Sequence, residues 1–311
     1  MKYPNFLRDV VGYVPLTIDI RFHNNIGYIK LLLLKFIDLI FSKSERFQNV
    51  YIYDYKINID LFNNNERILF YFPKNLINRY IKSDLYFLMK SINSTNNKIF
   101  VDIGANLGIY SLLAKRLGFT TYLFEPEPGH YAFLKRNDYI FGNVSNNALS
   151  DFSGEADFYI SKAVDPGASS LVGGPVDQSD SIYERSEKVS VEKFDDFVEK
   201  SIIDKSNIRL IKIDVEGNEF NTLNGMVNYL TDFKPFIWCE VRGAKSGRAK
   251  NSYKKVRNLL NKFGYNPYRF VKNQFVYLDE DIQTMPQVFD LLFINTNERY
   301  VNLELNLMND K

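Results

Sequence analysis

Three acids in the second half of the chain stand where chemistry would be done. Asp214 and Glu216 arrive together in IRLIKIDVEGNEF (208–220), after the apolar residues Leu210, Ile211 and Ile213 and just before Gly217. With period two along a strand they point to one side, so two carboxylates enter one cleft. Glu240 closes a second apolar run, PFIWCEVRG (235–243), together with Arg242. A positioned carboxylate removes or shares a proton as a general base. Three acids about one cleft also suit a hard cation such as Mg²⁺. The plain alternative is a pair of acids capping the helix that opens at Gly217. Arg242 suits a phosphate or carboxylate on a ligand, or a salt bridge.

A second constellation lies upstream. In KIFVDIGANLGIYS (98–111) an apolar strand runs into Asp102, and Gly104, Asn106 and Gly108 follow before a helical pattern begins. That pattern is a buried parallel strand, a tight turn and a helix N-terminus, the first unit of an open α/β sheet whose ligand lies beyond the carboxyl ends of its strands. The glycines are expected to let the backbone approach that ligand. The strand TTYLFEPEP ends in Glu125, 21 residues after Gly104, the spacing of a carboxylate that accepts from both hydroxyls of a ligand ribose. A dinucleotide turn wants glycine at the second position, where the pyrophosphate touches the backbone. Here that residue is Asn106, which favours a ligand with a ribose and no phosphate, as in S-adenosylmethionine.

The elements that must hold these residues follow in order. Positions 1–25 show no clear period, and IGYIKLLLLKFIDLIF (26–41) is apolar but broken by Lys30, Lys35 and Asp38. At 16 residues it is shorter than the roughly 20 a spanning helix needs. It is expected to pack on the body of the protein or a partner subunit, or to lie at a membrane surface with its lysines near head groups. VYIYDYKINIDL (50–61) alternates with period two and predicts one half-buried strand carrying Tyr51, Tyr53, Tyr55, Ile57, Ile59 and Leu61 on its core face. ERILFYF would pair with it as a hairpin, and Leu76 to Ile92 reads as one helix.

Beyond the glycine turn, helices are expected over 109–117 and 129–138, with a third strand ending near Asn147 to Ser150. Asn147, Ala148 and Ser150 would then stand at an adenine edge. The Gly, Ser, Pro and Asp-rich stretch 161–187 is long enough to be functional, as a lid, or is a disordered bridge. Helices over Asn218 to Leu230 and Ser252 to Phe263 and strand-like runs at Tyr268 to Val271, Phe275 to Leu278 and Phe289 to Ile294 complete the pattern. The implied organisation is an N-terminal helical extension over 1–47, a hairpin and helix over 48–95, the main α/β domain over 96–296 and a polar tail over 297–311.

Composition limits the class. With 311 residues, 45% of them hydrophobic, the chain can build one large domain with an extension. Its 39 basic and 37 acidic residues leave a net charge of +2, so no polyanion-binding field is implied and no nucleic-acid partner is expected. A single cysteine, Cys239, permits no internal disulfide and no cysteine metal site. Lys2, Arg8 and Asp9 interrupt the start, which does not read as a signal peptide. A reducing cytosol is the expected compartment, with membrane association only through 26–41. His130, in the first turn of the 129–138 helix, is expected to be solvated. Asn266-Pro267-Tyr268 imitates an amine-methylating signature but lacks its second proline and follows the fifth strand.

Seven ordered pieces carry a family resemblance: VDIGANLGIYS, FEPEPGHYAFLKRN, NNALSDFSGEADFYI, GASSL, VSVEKFDDFV, LIKIDVEGNEFNTLNGM and FIWCEV. Across roughly residues 98 to 241 the chain resembles the FkbM family of S-adenosylmethionine-dependent methyltransferases. The resemblance implies a Rossmann-like, mostly parallel seven-stranded sheet with helices on both faces, and O-methylation, often of sugar hydroxyls on glycans or natural products. It implies a cofactor loop of Asp102, Gly104, Asn106 and Gly108, Glu125 at the ribose and Ala148 with neighbours such as Ser150 at the adenine. Asp214 and Glu216 then resemble the family's acidic site, without the resemblance naming either as the base, and the partner is a small-molecule or glycan acceptor. From proton-transfer chemistry Asp214 is the expected base or orienter, helped by Glu216 or Glu240. Two rivals stand beside it: a nicotinamide oxidoreductase, and a catalytically idle cofactor-binding module in a glycan assembly complex.

Overall fold

The structure is a computed structural model describing residues 46–61, 63, 65, 66, 69, 73–92, 97–161, 168–172, 183–243, 252–271, 274–278 and 288–295. The expected 26–41 helix and the tail beyond 296 lie outside the described residues. The chain divides into two compact units, 1–82 and 83–311.

In the first unit, β1 (Phe47–Ile52) and β2 (Tyr55–Asp60) form an antiparallel hairpin, and α1 (Pro73–Tyr80) follows. The single strand expected over 50–61 is therefore two arms. The chain reverses at Tyr53, whose φ of 54° is left-handed, and the reversal changes the parity of the buried face. Val50 pairs with Ile57, so even residues of the first arm share a face with odd residues of the second. Val50, Ile52, Ile57 and Ile59 are buried while Tyr51 is 68% exposed. Glu66 and Leu69 of the expected partner strand are helical. Glu66 accepts the Asp60 amide, and Asp60 also pairs with Arg46 at 2.7 Å.

The second unit begins with α2 (Asp84–Ser91), capped by Ser83, whose hydroxyl accepts from the Tyr86 amide. The expected single helix from Leu76 to Ile92 is thus two, because Ser83 caps a new start. Then come β3 (Ile99–Ile103), α3 (Ile109–Arg116), β4 (Thr120–Phe124), α4 (Pro128–Arg136), α5 (Asp138–Phe141) and β5 (Asn143–Ser145). The chain continues through β6 (Ala148–Leu149), β7 (Gly154–Ser161), β8 (Tyr183–Glu192), α6 (Phe194–Lys200), β9 (Ile208–Ile213), α7 (Glu219–Asn224), α8 (Val227–Asp232) and β10 (Phe236–Arg242). It closes with α9 (Ser252–Asn261), β11 (Tyr265–Val271), β12 (Gln274–Tyr277) and β13 (Val288–Asn295).

The main sheet has eight strands in the order β12-β11-β13-β10-β9-β3-β4-β5, and β6-β8-β7 form a separate three-stranded sheet. Five strands, β10 to β5 along that order, are parallel, and β13, β11 and β12 join antiparallel. The sheet is therefore mixed and eight-stranded, not the seven mostly parallel strands the resemblance implies. The physical reason is at its edge, where Phe270 faces Phe275 and Tyr268 faces Tyr277 in an extra hairpin. The strand expected to end near Ser150 stops at Ser145, and Ala148–Leu149 pairs instead with β8.

Helices cover both faces, as α/β sheets with buried parallel strands require. Val101, Ile211, Ile213, Ile237 and Cys239 pack toward Phe194, Leu223, Tyr229 and Val256. Phe100, Leu210, Trp238 and Leu292 pack toward Leu85, Leu88, Met89 and Ala114. This double burial fixes β3, β9 and β10 side by side, so their carboxyl ends open at one edge. Among the described residues no helix is long and apolar enough to cross a membrane.

Candidate active site at the carboxyl edge of the sheet

The turn after β3 is built by backbone. Gly104, Asn106 and Gly108 have φ of 76°, 53° and 68°, conformations that glycine and asparagine tolerate best. The Gly104 and Ala105 amides donate to the Phe124 carbonyl at 3.0 and 3.2 Å, and Gly108 N–H donates to Ala105. Asn106 N–H donates to Glu125 Oε2 at 2.7 Å, while Glu127 N–H donates to Glu125 Oε1 at 2.9 Å. Glu125 thus closes the turn from the tip of β4. Burial pushes its carboxyl up, against the opposing pull of His130 and these two amides.

Packing gives Gly104 and Gly108 a requirement of their own beside the expected approach to a ligand. A Cβ on Gly104 would lie 1.9 Å from the Asp214 carbonyl oxygen, and one on Gly108 would lie 2.8 Å from Leu134 and Phe141. The Asp214 amide also donates to the Ile103 carbonyl. The bare Cα of Gly104 is what lets the turns after β3 and β9 pass against each other.

Lys212 ties the two turns electrostatically. It lies beside Asp102 in the β3–β9 register, and its ammonium is 3.3 Å from Asp102 Oδ1 and 3.4 Å from Asp214 Oδ2. It also donates to the Gly104 carbonyl at 3.0 Å. Burial works against the charged ammonium, yet Asp214 and then Asp102 hold it protonated, above the ordinary lysine range. Asp102, 1% exposed, accepts from Ser111 Oγ at 2.7 Å. Burial raises its carboxyl, with Lys212 and Ser111 pulling it back down.

Beyond β9 the acids gather. One carboxylate oxygen each from Asp214, Glu216 and Glu240 lie within 4.8 Å of one another, and all three residues are half-buried. The sequence reading put Asp214 and Glu216 on a strand, but β9 ends at Ile213. They converge instead because Glu216 turns into a left-handed conformation, φ 56°, followed by Gly217 at 110°. Arg242 donates to both Glu216 and Glu240, the latter at 3.2 Å. Burial and then Asp214 and Glu216 push the Glu240 carboxyl up to about 10, against the pull of Arg242. Asp290, opposite Glu240 across the β10–β13 ladder, is pushed up to about 6 by burial and then Asp214. Glu219 is fully buried, with Oε1 accepting the Gly217 amide and Oε2 meeting no hydrogen-bond donor among the described residues.

The 148–150 segment is clamped to the start of α7. Asn218 Nδ2 donates to Leu149 O and Ser150 Oγ, and Thr222 Oγ1 donates to Leu149 O at 2.9 Å. Ala148 packs into the small core with Phe158 and Val189 and pairs with Val191 in the β6–β8 ladder. His130 is not solvated. It is 3% exposed, with Nδ1 3.5 Å from Glu127 and 3.9 Å from Glu125, because it lies on the buried face of α4 with Phe133 and Leu134.

The family model of the methyltransferase FkbM domain matches residues 102–267, just over half of the chain. The chain belongs to the FkbM methyltransferase family. No curated protein matches it by sequence. Among solved structures it is similar to the methyltransferase FkbM from Methylobacillus flagellatus KT, at 18% identity and a TM-score of 0.39, covering 64% of this chain and 43% of that one. The chain therefore spans less than half the length of that protein. It is also similar to magnesium protoporphyrin IX methyltransferase from Synechocystis PCC 6803 with bound SAM, at 8% identity and TM-score 0.36, covering 94% and 96% of the two chains. A third is precorrin-6y C5,15-methyltransferase from Geobacter metallireducens GS-15, at 11% identity and TM-score 0.35, covering 68% and 86%.

Within this FkbM domain, Asp102, Gly104, Asn106, Gly108 and Glu125 form one connected turn, and Asp214, Glu216, Glu240 and Arg242 form the adjoining acidic cluster. Lys212, Ser111 and Asn218 escaped the sequence reading. The signal for Lys212 was a charge set between Ile211 and Ile213 in a central strand, two residues before Asp214.

The donor set fits S-adenosylmethionine better than a dinucleotide. The amides of Gly104, Ala105, Asn106 and Gly108 are all used inside the protein, so these four are not free to bind a pyrophosphate. The cleft is carboxylate-rich, and its two buried cations are committed, Lys212 to Asp102, Asp214 and Gly104 and Arg242 to Glu216 and Glu240. Such a surface favours a cationic ligand with ribose hydroxyls and repels a diphosphate.

Proposed function

We propose that the chain is an S-adenosylmethionine-dependent O-methyltransferase acting on a hydroxyl, most simply that of a sugar in a glycan, glycolipid or natural product. The observation that carries this reading is the turn whose Gly104, Ala105, Asn106 and Gly108 amides are spent internally, set beside the acids Glu125, Asp214, Glu216 and Glu240. When bound, the cofactor would supply a methyl group already activated on a sulfonium.

The residues of the chain then divide the work. The turn from Asp102 to Gly108 would hold the methionine side. Glu125 accepts two backbone amides and keeps further lone pairs for ribose hydroxyls. The backbone at Ala148 and the Ser150 hydroxyl would face the adenine. Asp214, with a side chain 37% exposed and anchored on one side by Lys212, is the acid best placed to take or share the acceptor's proton. Such a positioned base contributes roughly 10²–10⁴ in rate. Glu240, kept protonated by its surroundings, is suited to donate a hydrogen bond to the acceptor. Arg242 is occupied by Glu216 and Glu240 and holds them in place.

The test compares cells making the native chain with cells making Asp214→Asn. Mass spectrometry of glycans, glycolipids and small sugar-bearing metabolites should find species lighter by one CH₂ accumulating in the variant. Identical profiles in the two, with both proteins present at equal levels, would overturn the assignment of Asp214.

A further inference from the structure

The acidic turn holds its shape at a cost. An L residue in the left-handed region is disfavoured, and Glu216 has a full side chain there, with no Asn or Gly to ease the strain. Residues held this way persist only where their surroundings over-determine them. Two of the restraints are in the cluster itself. Arg242 holds the Glu216 carboxylate, and Glu219 Oε1 accepts the amide of Gly217. The third comes from a distant part of the chain.

Ser170 lies in GASSL, 46 residues before Glu216, and is fully buried. Its hydroxyl donates to the Glu216 carbonyl at 2.9 Å, with the Val215 carbonyl at 3.4 Å, and accepts from the Val172 amide at 3.0 Å. Ser170 is fixed in turn by a two-way backbone bridge to Tyr159, with N···O distances of 2.8 and 3.0 Å. One hydroxyl thus connects the three-stranded sheet to the turn that carries the acids. A carbonyl held on one side of the peptide and a carboxylate held on the other leave Glu216 no freedom to relax.

We propose that Ser170 is a positioning residue: by holding the Glu216 carbonyl it keeps that residue left-handed and its carboxylate on Arg242, beside Asp214 and Glu240. The inference deepens the methyl-transfer reading, which gives the acids their purpose, but the contact itself is measurable without an acceptor.

The experiment uses the full chain labelled with ¹³C at the glutamate carboxyls, with the Glu216 resonance assigned by its loss in Glu216→Gln. In Ser170→Ala the Glu216 resonance should shift, and the Gly217 amide should exchange with solvent about tenfold faster, the effect of losing one hydrogen bond of ordinary strength. Ser170→Thr keeps the donor and should return both toward the native values. Ser170→Cys keeps the volume with a weaker donor and should fall between, and it serves if the alanine variant does not fold. A native Glu216 resonance and native Gly217 exchange in Ser170→Ala or Ser170→Cys would overturn the proposal. S-adenosylhomocysteine is titrated into the same native sample. If it fails to bind, the methyl-transfer reading falls while the Ser170 measurement still decides the positioning role.

Discussion

The two turns at the working edge of the sheet follow the same strand, turn and helix plan and spend their strain differently. After β3 the left-handed positions belong to Gly104, Asn106 and Gly108, and the turn's acid, Asp102, stays back on the strand, buried against Lys212 and Ser111. After β9 the left-handed position belongs to an acid, Glu216, and the carboxylates stand forward in the cleft. In the first turn unusual backbone angles let main chain pack against main chain. In the second they aim a side chain. The first is a cradle and the second is a tool, with Lys212 as the joint between them.

The sharpest way to break this contrast is Gly104→Ala. Its new Cβ would collide with the Asp214 backbone oxygen, at 1.9 Å, and would strain a φ of 76°. The cost in urea unfolding should be at least about 4 kcal/mol, the exceptional end for one substitution. Gly108→Ala would meet only the side chains of Leu134 and Phe141, and should cost a smaller 1–3 kcal/mol or so. Equal costs would contradict the claim that Gly104 is there for the other turn.

Lys212→Met comes next. It strands Asp102 in the core without its cation, which should cost about 3–5 kcal/mol at neutral pH. The sign with pH follows from the two groups. The native ammonium is raised above its ordinary 10.5, so its contribution is fully present below that value and is lost only as pH rises through the folded value. In the variant, Asp102 is pushed further up and takes a proton as the solution is acidified, so the deficit should shrink toward low pH. A deficit that is constant from pH 4 to 8 would show that Asp102 carries no charge in the native protein.

The smallest effect concerns Glu240. A carboxyl raised from 4.5 to about 10 binds a proton in the folded chain that the unfolded chain releases, so native stability falls as pH climbs between those values. Glu240→Gln removes that burden. Thermal unfolding should show the variant gaining about 1 kcal/mol or more at pH 8 and little at pH 5. A loss of stability at pH 8 would mean that the Arg242 pair outweighs burial.

Much of this site could be read from the chain before any coordinates. Glycine spacing announced the first turn, and Asp214 and Glu216 before Gly217, with Glu240 at the end of the neighbouring apolar run, announced the second. What stayed hidden depends on contacts between distant segments. Lys212 is one of two basic residues in β9, with Arg209, and gains meaning only from the register that sets it beside Asp102. Ser170 bonds a carbonyl, which leaves no mark on the sequence at 216. The hairpin at Tyr53 was missed because a two-residue reversal keeps alternation intact while exchanging which parity is buried. His130 was misplaced because helix periodicity says which residues share a face, not that the face of His130, Phe133 and Leu134 is the buried one.

The central claim is that the cleft takes a ribose-bearing ligand without a pyrophosphate and not a dinucleotide. Calorimetric titration of the full chain with S-adenosylhomocysteine and, separately, with NAD tests it most directly. The account predicts saturable binding of S-adenosylhomocysteine, weakened about tenfold or more by Glu125→Gln, and no binding of NAD. Saturable binding of NAD, or S-adenosylhomocysteine binding indifferent to Glu125→Gln, would contradict it.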